Sequence, residues 1–364
     1  MGLPRFSAFD ATLAAAGLAT VVALPLLGNA YAVGVGLTVL GHLLFGILAE
    51  GFWTALACRA LTGVGWAGTY MTGLKLLADR VDATMMSRAT AGHAASIGLS
   101  GAASFATGDL LSLRFGWPSA FIAAAGCAAL AWLIVAFIVP RQLLPRPKAA
   151  DGGGLYDLRP VLRNSSAMAY ALAYCIHTLE MSALRGWGVA FLAYVAAGSA
   201  SGQPALSPAM LVTILGLIGT AASLLGNEAA IRLGRKRLVH TAMAGSILLG
   251  GCIGFAGTAS YTVAAALILV YGLVSWLDSS SLTAGAVGTA EPSRRGATLA
   301  VHSTLGYAGG FIGPLMVGWI LDLAGGASTL AWGLAFASVA ALMAAALAAF
   351  AWISPRELAG DRRG

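Results

Sequence analysis

The chain has 364 residues, of which 59% are hydrophobic and only 10% charged, with 48 glycines and a formal net charge of +7. A soluble domain of this length is excluded, because so few charged residues cannot furnish an aqueous surface. The positive charge implies no nucleic-acid partner, because the basic residues lie in short loops between long apolar runs.

In chain order, those runs cover residues 11–28, 32–50, 53–78, 86–112, 118–139, 166–197, 208–231, 238–258, 261–288, 296–323 and 328–353. Each is long enough to cross a hydrocarbon core, which takes roughly 20 residues rising about 1.5 Å apiece. The runs are continuously apolar rather than alternating with period two, so they predict helices and not barrel strands. The expected fold class is an all-α membrane protein, a polytopic bundle of about eleven transmembrane helices. Arg5, the first run and Ala30-Tyr31-Ala32 imitate a secretory signal, but Asp10 and the length of the run favour a first helix. Cys58, Cys127, Cys175 and Cys252 lie inside apolar runs without paired spacing and read as small core residues.

The long hydrophilic interruption at 140–165 carries Pro145, Pro147 and Gly152-Gly153-Gly154. It reads as a linker between an N-terminal bundle, 1–139, of five helices and a C-terminal bundle, 166–364, of six with a short tail. Lys75, Arg80 and Arg88, the linker arginines, Arg232 to Arg237, Arg294, Arg295 and the tail arginines all fall on one side, whereas the opposite loops hold Arg114. By the positive-inside rule the linker and the C-terminus are expected in the cytoplasm.

The halves echo one another. Arg88 precedes His93 and Gly101, and Arg294 and Arg295 precede His302 and Gly310, so that each half opens a helix from the basic side with His followed by Gly. Trp66 and Trp276 occupy similar places in the preceding helices. Repetition of this kind predicts two pseudo-equivalent bundles with a binding site between them.

Leu56-x-x-Arg59-x-x-x-Gly63-x-Gly65-x-Ala67 and Gly309-x-x-x-Gly313-Pro314-x-x-x-Gly318 resemble the fourth-helix signature and the glycine-proline motif of the major facilitator superfamily of secondary transporters. Gly234-Arg235-Lys236-Arg237 resembles the end of that family's cytoplasmic loop motif, with Ile231 and Asn227 at the usual Asp and Gly and Glu228 as a substitute acid. The stretches Gly65–Tyr70 and His177–Trp187 look most like bacterial members grouped with nitrate or cyanate porters. The resemblance implies a two-bundle carrier working by alternating access. It also implies that the family's first helix is absent, since two runs rather than three precede Arg59.

Independently of the resemblance, a charge near the bilayer centre costs about 2.5 to 3.5 kcal/mol on insertion scales and demands a partner or a wet cavity. Arg59, His93, His177, Glu180, Arg185 and Asp278 are such groups. Three residues separate His177 from Glu180, which places them on one helix face. Glu180 is the candidate coupling-proton site, with His177 as relay and Asp278 as a further proton or substrate group; the alternative for Glu180 is a locking ion pair with a neighbouring helix. Arg59 and Arg185 are candidate forks for a carboxylate or oxyanion, the alternatives being a structural pair for Arg59 and snorkelling for Arg185. Gly63, Gly65, Gly309, Gly313, Pro314 and Gly318 are candidate packing and gating positions. His93 and His302 read as interfacial packing histidines, the alternative being proton-relay groups, and Trp53, Trp117 and Trp187 as interface anchors.

Other patterns fail their context. Gly63–Gly68 satisfies a dinucleotide-binding spacing inside a membrane helix rather than after a strand, and His177-x-x-Glu180 lacks the second histidine of a zinc motif. No metal or cofactor is expected. A nucleophile paired with a base is not visible, so the chain is not read as an enzyme. The expected function is secondary transport of a small anion or zwitterion coupled to protons, by a monomer in the inner cell membrane. The alternatives are a proton-coupled exporter of drug-like cations and a non-transporting sensor or assembly protein.

Overall fold

The computed structural model describes residues 30–78, 81–82, 84–137, 158–198, 206–359 and 361. The predicted segment at 11–28, the signal-like reading of the N-terminus and most of the 140–165 linker lie outside these residues. Among the described residues there are helices and no strands: α1 (Ala30–Leu48), α2 (Phe52–Ala67), α3 (Tyr70–Ala78), α4 (Met86–Phe115), α5 (Trp117–Phe137), α6 (Arg159–Arg163), α7 (Ser165–Gly198), α8 (Pro208–Leu233), α9 (Arg235–Ala256), α10 (Tyr261–Trp276), α11 (Ser279–Thr289), α12 (Arg295–Leu323) and α13 (Thr329–Ile353). This is the all-α polytopic bundle that hydropathy predicts. Among the described residues seven stretches, including Tyr31–Leu48, Pro208–Leu233 and Thr329–Ile353, are apolar and long enough to span a bilayer. At 34 and 30 residues, α7 and α4 also have the length.

Local chemistry sets the ends. Ser207, Ser260 and Ser328 accept hydrogen bonds from the backbone N–H of Met210, Val263 and Ala331, the N-cap role of a short hydroxyl side chain. Gly234, at φ 99°, separates α8 from α9 in a conformation open to glycine and strained for other residues. Two predicted segments are each split. The 53–78 segment breaks at Gly68 and Thr69, and the 261–288 segment at Leu277 and Asp278, in each case directly after the helix carrying Trp66 or Trp276. At the first break Thr72 Oγ1 donates to the carbonyls of Gly68 (2.6 Å) and Thr69 (3.0 Å), and Gly73 N–H also donates to the Thr69 carbonyl at 2.9 Å. Hydropathy misses such breaks because the residues around them stay apolar.

The chain divides into two compact units, Met1–Leu76 with Thr107–Pro147 and Leu77–Ala106 with Lys148–Gly364. In the first unit α1 packs on α2 and α5. Gly34 of α1 meets the backbone of Gly65 and Gly68, and Gly41 meets Thr62, so a side chain at either glycine would collide. Close backbone approach of this kind holds helices together where lipid removes the hydrophobic drive.

In the second unit α7 is the central helix, packed along α12. Gly306, Gly309, Gly313 and Gly318 of α12 sit against Tyr174, the Cys175 carbonyl, the Leu179 carbonyl and Trp187 respectively. Trp187 Nε1 donates to the Pro314 carbonyl at 2.8 Å, a hydrogen bond that ties the two helices together across the seam. Trp187 is therefore a seam residue rather than the interface anchor that its position suggests. The four cysteines are free, and Cys127 and Cys252 are exposed rather than in the core.

The chain's end folds back onto this unit. Glu357 accepts from the backbone N–H groups of Arg235 (3.0 Å) and Lys236 (3.1 Å) at the start of α9. Asp361 grips the guanidinium of Arg235 at 2.8 and 2.9 Å, and both side chains are fully buried. The remaining donors of Arg235 reach Ser87 Oγ, Asn227 Oδ1 and the Ser281 carbonyl. Glu228 pairs with Arg88 through two hydrogen bonds on an exposed surface. The acid that answers the buried arginine of the loop thus comes from the tail.

Candidate functional site

The polar groups of the second unit radiate from α7. His177 and Glu180 are buried, as their shared face predicts, and α7 turns His177 toward the break between α10 and α11. There His177 Nδ1 lies 3.1 Å from Asp278 Oδ1, with both side chains almost wholly inaccessible. Asp278 occupies the N-cap position of α11, and its carbonyl accepts from Leu282 N–H at 2.8 Å. Beside it Ser280 exchanges a hydrogen bond with Ser223 of α8. One turn before His177, Tyr174 stacks against His302 of α12 with ring centroids 4.1 Å apart, and its ring is also nearly parallel to that of His177. His302 is completely buried, which fits a packing role.

Glu180 faces a different environment. Tyr271 of α10 and Ser246 of α9 stand beside its carboxyl group, yet neither oxygen has a partner in good hydrogen-bond geometry. The carboxyl borders a cavity of about 10 Å³ walled by Leu184, Trp187, Val317 and Phe336. That is room for about one water molecule.

Arg185 lies on another face of α7. Its guanidinium carbon sits 4.9 Å from the centroid of the Trp276 ring, at the end of α10. Cation and ring border a cavity of about 200 Å³, whose walls come from α4, α7, α8 and α10. Among the described residues no carboxylate forms an ion pair with Arg185. Leu184 borders both this cavity and the small one at Glu180.

The other predicted groups are distributed more widely. Arg59, in the first unit, is exposed, with its guanidinium 5.9 Å from the Phe45 ring centroid, and His93 is half-buried. Neither is the buried group that its place in an apolar run suggests. Gly65 is packed against Gly34 and Thr38, whereas Gly63 has nothing within 4 Å of a side-chain position. The structure thus joins His177 to Asp278, gives Glu180 and Arg185 separate cavities, and places Arg59 in the other unit. Sequence reasoning missed Tyr174, Tyr271, Ser246 and the role of Trp276. The usable signal was the likeness of Trp66 and Trp276, which marks where the helices break. Among the described residues no cluster of three potential metal ligands occurs.

The sequence matches the family model of the Major Facilitator Superfamily over residues 6–275. The chain belongs to that superfamily. Among curated proteins none matches the sequence significantly. Solved structures that share its fold include two transporters. The human organic anion transporter MFSD10 (TETRAN) aligns with a TM-score of 0.69 and 17% identity, over 94% of this chain and 83% of that one. A variant of the E. coli fucose:proton symporter FucP aligns with a TM-score of 0.65 and 14% identity, over 96% and 92%. The fold is that of superfamily transporters, and the glycine-proline motif from Gly309 to Gly318 is the seam that joins α12 to α7.

Proposed function

We propose that this superfamily member is a secondary transporter that couples the movement of a small organic anion to protons. Two bundles, 1–139 and 166–364, joined by the 140–165 linker, would rock about the bound solute so that it faces each side of the inner cell membrane in turn. Arg185 binds the anion, Glu180 carries the coupling proton, and the His177–Asp278 pair is a second proton-handling group. Arg59 is a further anion contact. The basic loops and the tail face the cytoplasm, and the chain works as a monomer.

The observation that carries this reading is the half-buried Arg185, without a carboxylate partner among the described residues, at the wall of a cavity large enough for a small solute. A cation partly withdrawn from water in an apolar segment calls for compensation, and an anionic solute supplies it. Export of a drug-like cation has less support. Glu180 opens onto room for one water, and Asp278 already faces His177.

The test is uptake into proteoliposomes with an imposed pH gradient, alkaline inside, using radiolabelled organic anions. Accumulation above equilibrium that collapses with a protonophore supports the reading. Binding without uptake under either gradient polarity would identify a sensor or assembly protein instead.

A further inference from the structure

Resting on the reading above, we infer that the transported solute is a monoanion with a compact apolar body, a monocarboxylate of about the size of benzoate, and that Gly101 sets the upper limit on its size. The Arg185 cavity supplies the argument. Its one charged group is Arg185, and its one side-chain hydroxyl is Ser104. The rest is apolar or glycine, with Phe105, Met181, Leu215 and Trp276 forming the larger surfaces. A single carboxylate satisfies the guanidinium fork, and one charge-assisted pair is all that this wall provides.

The same lining discriminates against other chemistries. A zwitterion would bury its ammonium group where no carboxylate lines the wall, and a dicarboxylate would leave its second charge among Leu, Met and Phe side chains. A polyol would bury several hydroxyls against one serine. Trp276 contributes to the cation's placement without neutralising it, because the ring face attracts charge and leaves the arginine free for an anion.

Size is set by the volume and by one glycine. About 200 Å³ is below the roughly 300 to 1,000 Å³ that holds drug-sized ligands, which restricts the solute to a few ring or chain carbons beyond its carboxylate. Two other glycines on the wall are needed for helix packing, since a side chain at Gly98 would strike Thr220 and Trp276, and one at Gly216 would press on Ala102. Gly101 differs. It borders the cavity on α4, and a side chain there would meet nothing within 4 Å. A leucine at this position therefore projects into the solute's space, and in a helix it is also the better former.

The experiment uses the full chain in detergent and in proteoliposomes, with benzoate, propionate, phenylalanine, succinate, benzylammonium and fucose as probes. Ligand binding is read by the shift in thermal midpoint and by titration calorimetry. The inference expects benzoate and propionate to bind, the other four to bind at least tenfold more weakly than benzoate, Arg185→Gln to weaken benzoate at least tenfold, and Gly101→Leu to lose benzoate while keeping propionate. Retained propionate binding shows that the leucine variant is folded. Comparable or tighter binding of phenylalanine, succinate, benzylammonium or fucose, benzoate binding insensitive to both substitutions, or no binding by any probe would overturn it. Benzoate selectivity without gradient-driven uptake would uphold the solute class and sink the transporter reading. Gradient-driven uptake of fucose or succinate with no benzoate binding would do the reverse.

Discussion

His177 and Asp278, a hundred residues apart in the chain, meet at 3.1 Å in a site from which both side chains are almost entirely closed to the surface. The pair forms because α10 ends at Trp276 and the chain restarts at Ser279, which leaves Asp278 at a helix start facing α7. An unbroken helix over 261–289 would have rotated that carboxylate differently. Residues in such contact should not contribute independently. Thermal unfolding in detergent of His177→Asn, Asp278→Asn and the double variant is expected to show a coupling of about 0.5 to 3 kcal/mol. Strict additivity would mean that the two groups do not interact.

Glu180→Gln keeps the shape of the side chain and removes its titrating proton. Accumulation driven by a pH gradient should be lost, while exchange of labelled for unlabelled solute across the membrane continues. The comparison needs both assays on the same proteoliposomes, and undiminished accumulation would remove Glu180 from coupling.

The two ion pairs near the start of α9 should behave oppositely. Asp361→Ala leaves the fully buried Arg235 without its carboxylate, and breaking a buried pair costs about 3 to 5 kcal/mol. Arg88 and Glu228 are solvated, so Glu228→Ala should leave the unfolding midpoint nearly unchanged. Equal effects of the two substitutions would contradict the burial argument.

Along the α7–α12 seam, Gly313→Val would drive a side chain into the Leu179 carbonyl. Overpacking of this kind costs about 1 to 3 kcal/mol or more, and here it would also part the helices that carry Glu180 and His302. Gly63→Ala, where the added methyl meets nothing, should be neutral or stabilising by up to about 1 kcal/mol. Chemical or thermal melts of both variants decide the matter.

Much of the architecture was legible because lipid imposes a simple rule: a crossing segment must be helical and long. Residues 208–231 and 296–323 were therefore bounded to within a residue or two of α8 and α12. The candidate groups on α7 were legible for the same reason, since an ionisable residue in an apolar run is conspicuous. Their partners were not. Whether Glu180 meets Tyr271, or His177 meets Asp278, depends on the rotation of one helix against another, and small residues such as Gly309 and Gly313 set that rotation through contacts distant in sequence. The tail's grip on Arg235 was invisible because Ile231 stands where the acid was expected, and nothing local says that Asp361 replaces it.

That grip bears on how the molecule is made. Arg235 leaves the ribosome 126 residues before Asp361 does. Throughout that interval its guanidinium must stay hydrated or borrow a transient counterion, so this end of the bundle can close only once the segment carrying Asp361 has been made. A chain cut before Asp361 would keep every described apolar segment of the second unit and carry one stranded charge at its base, a defect suited to recognition by a membrane protease.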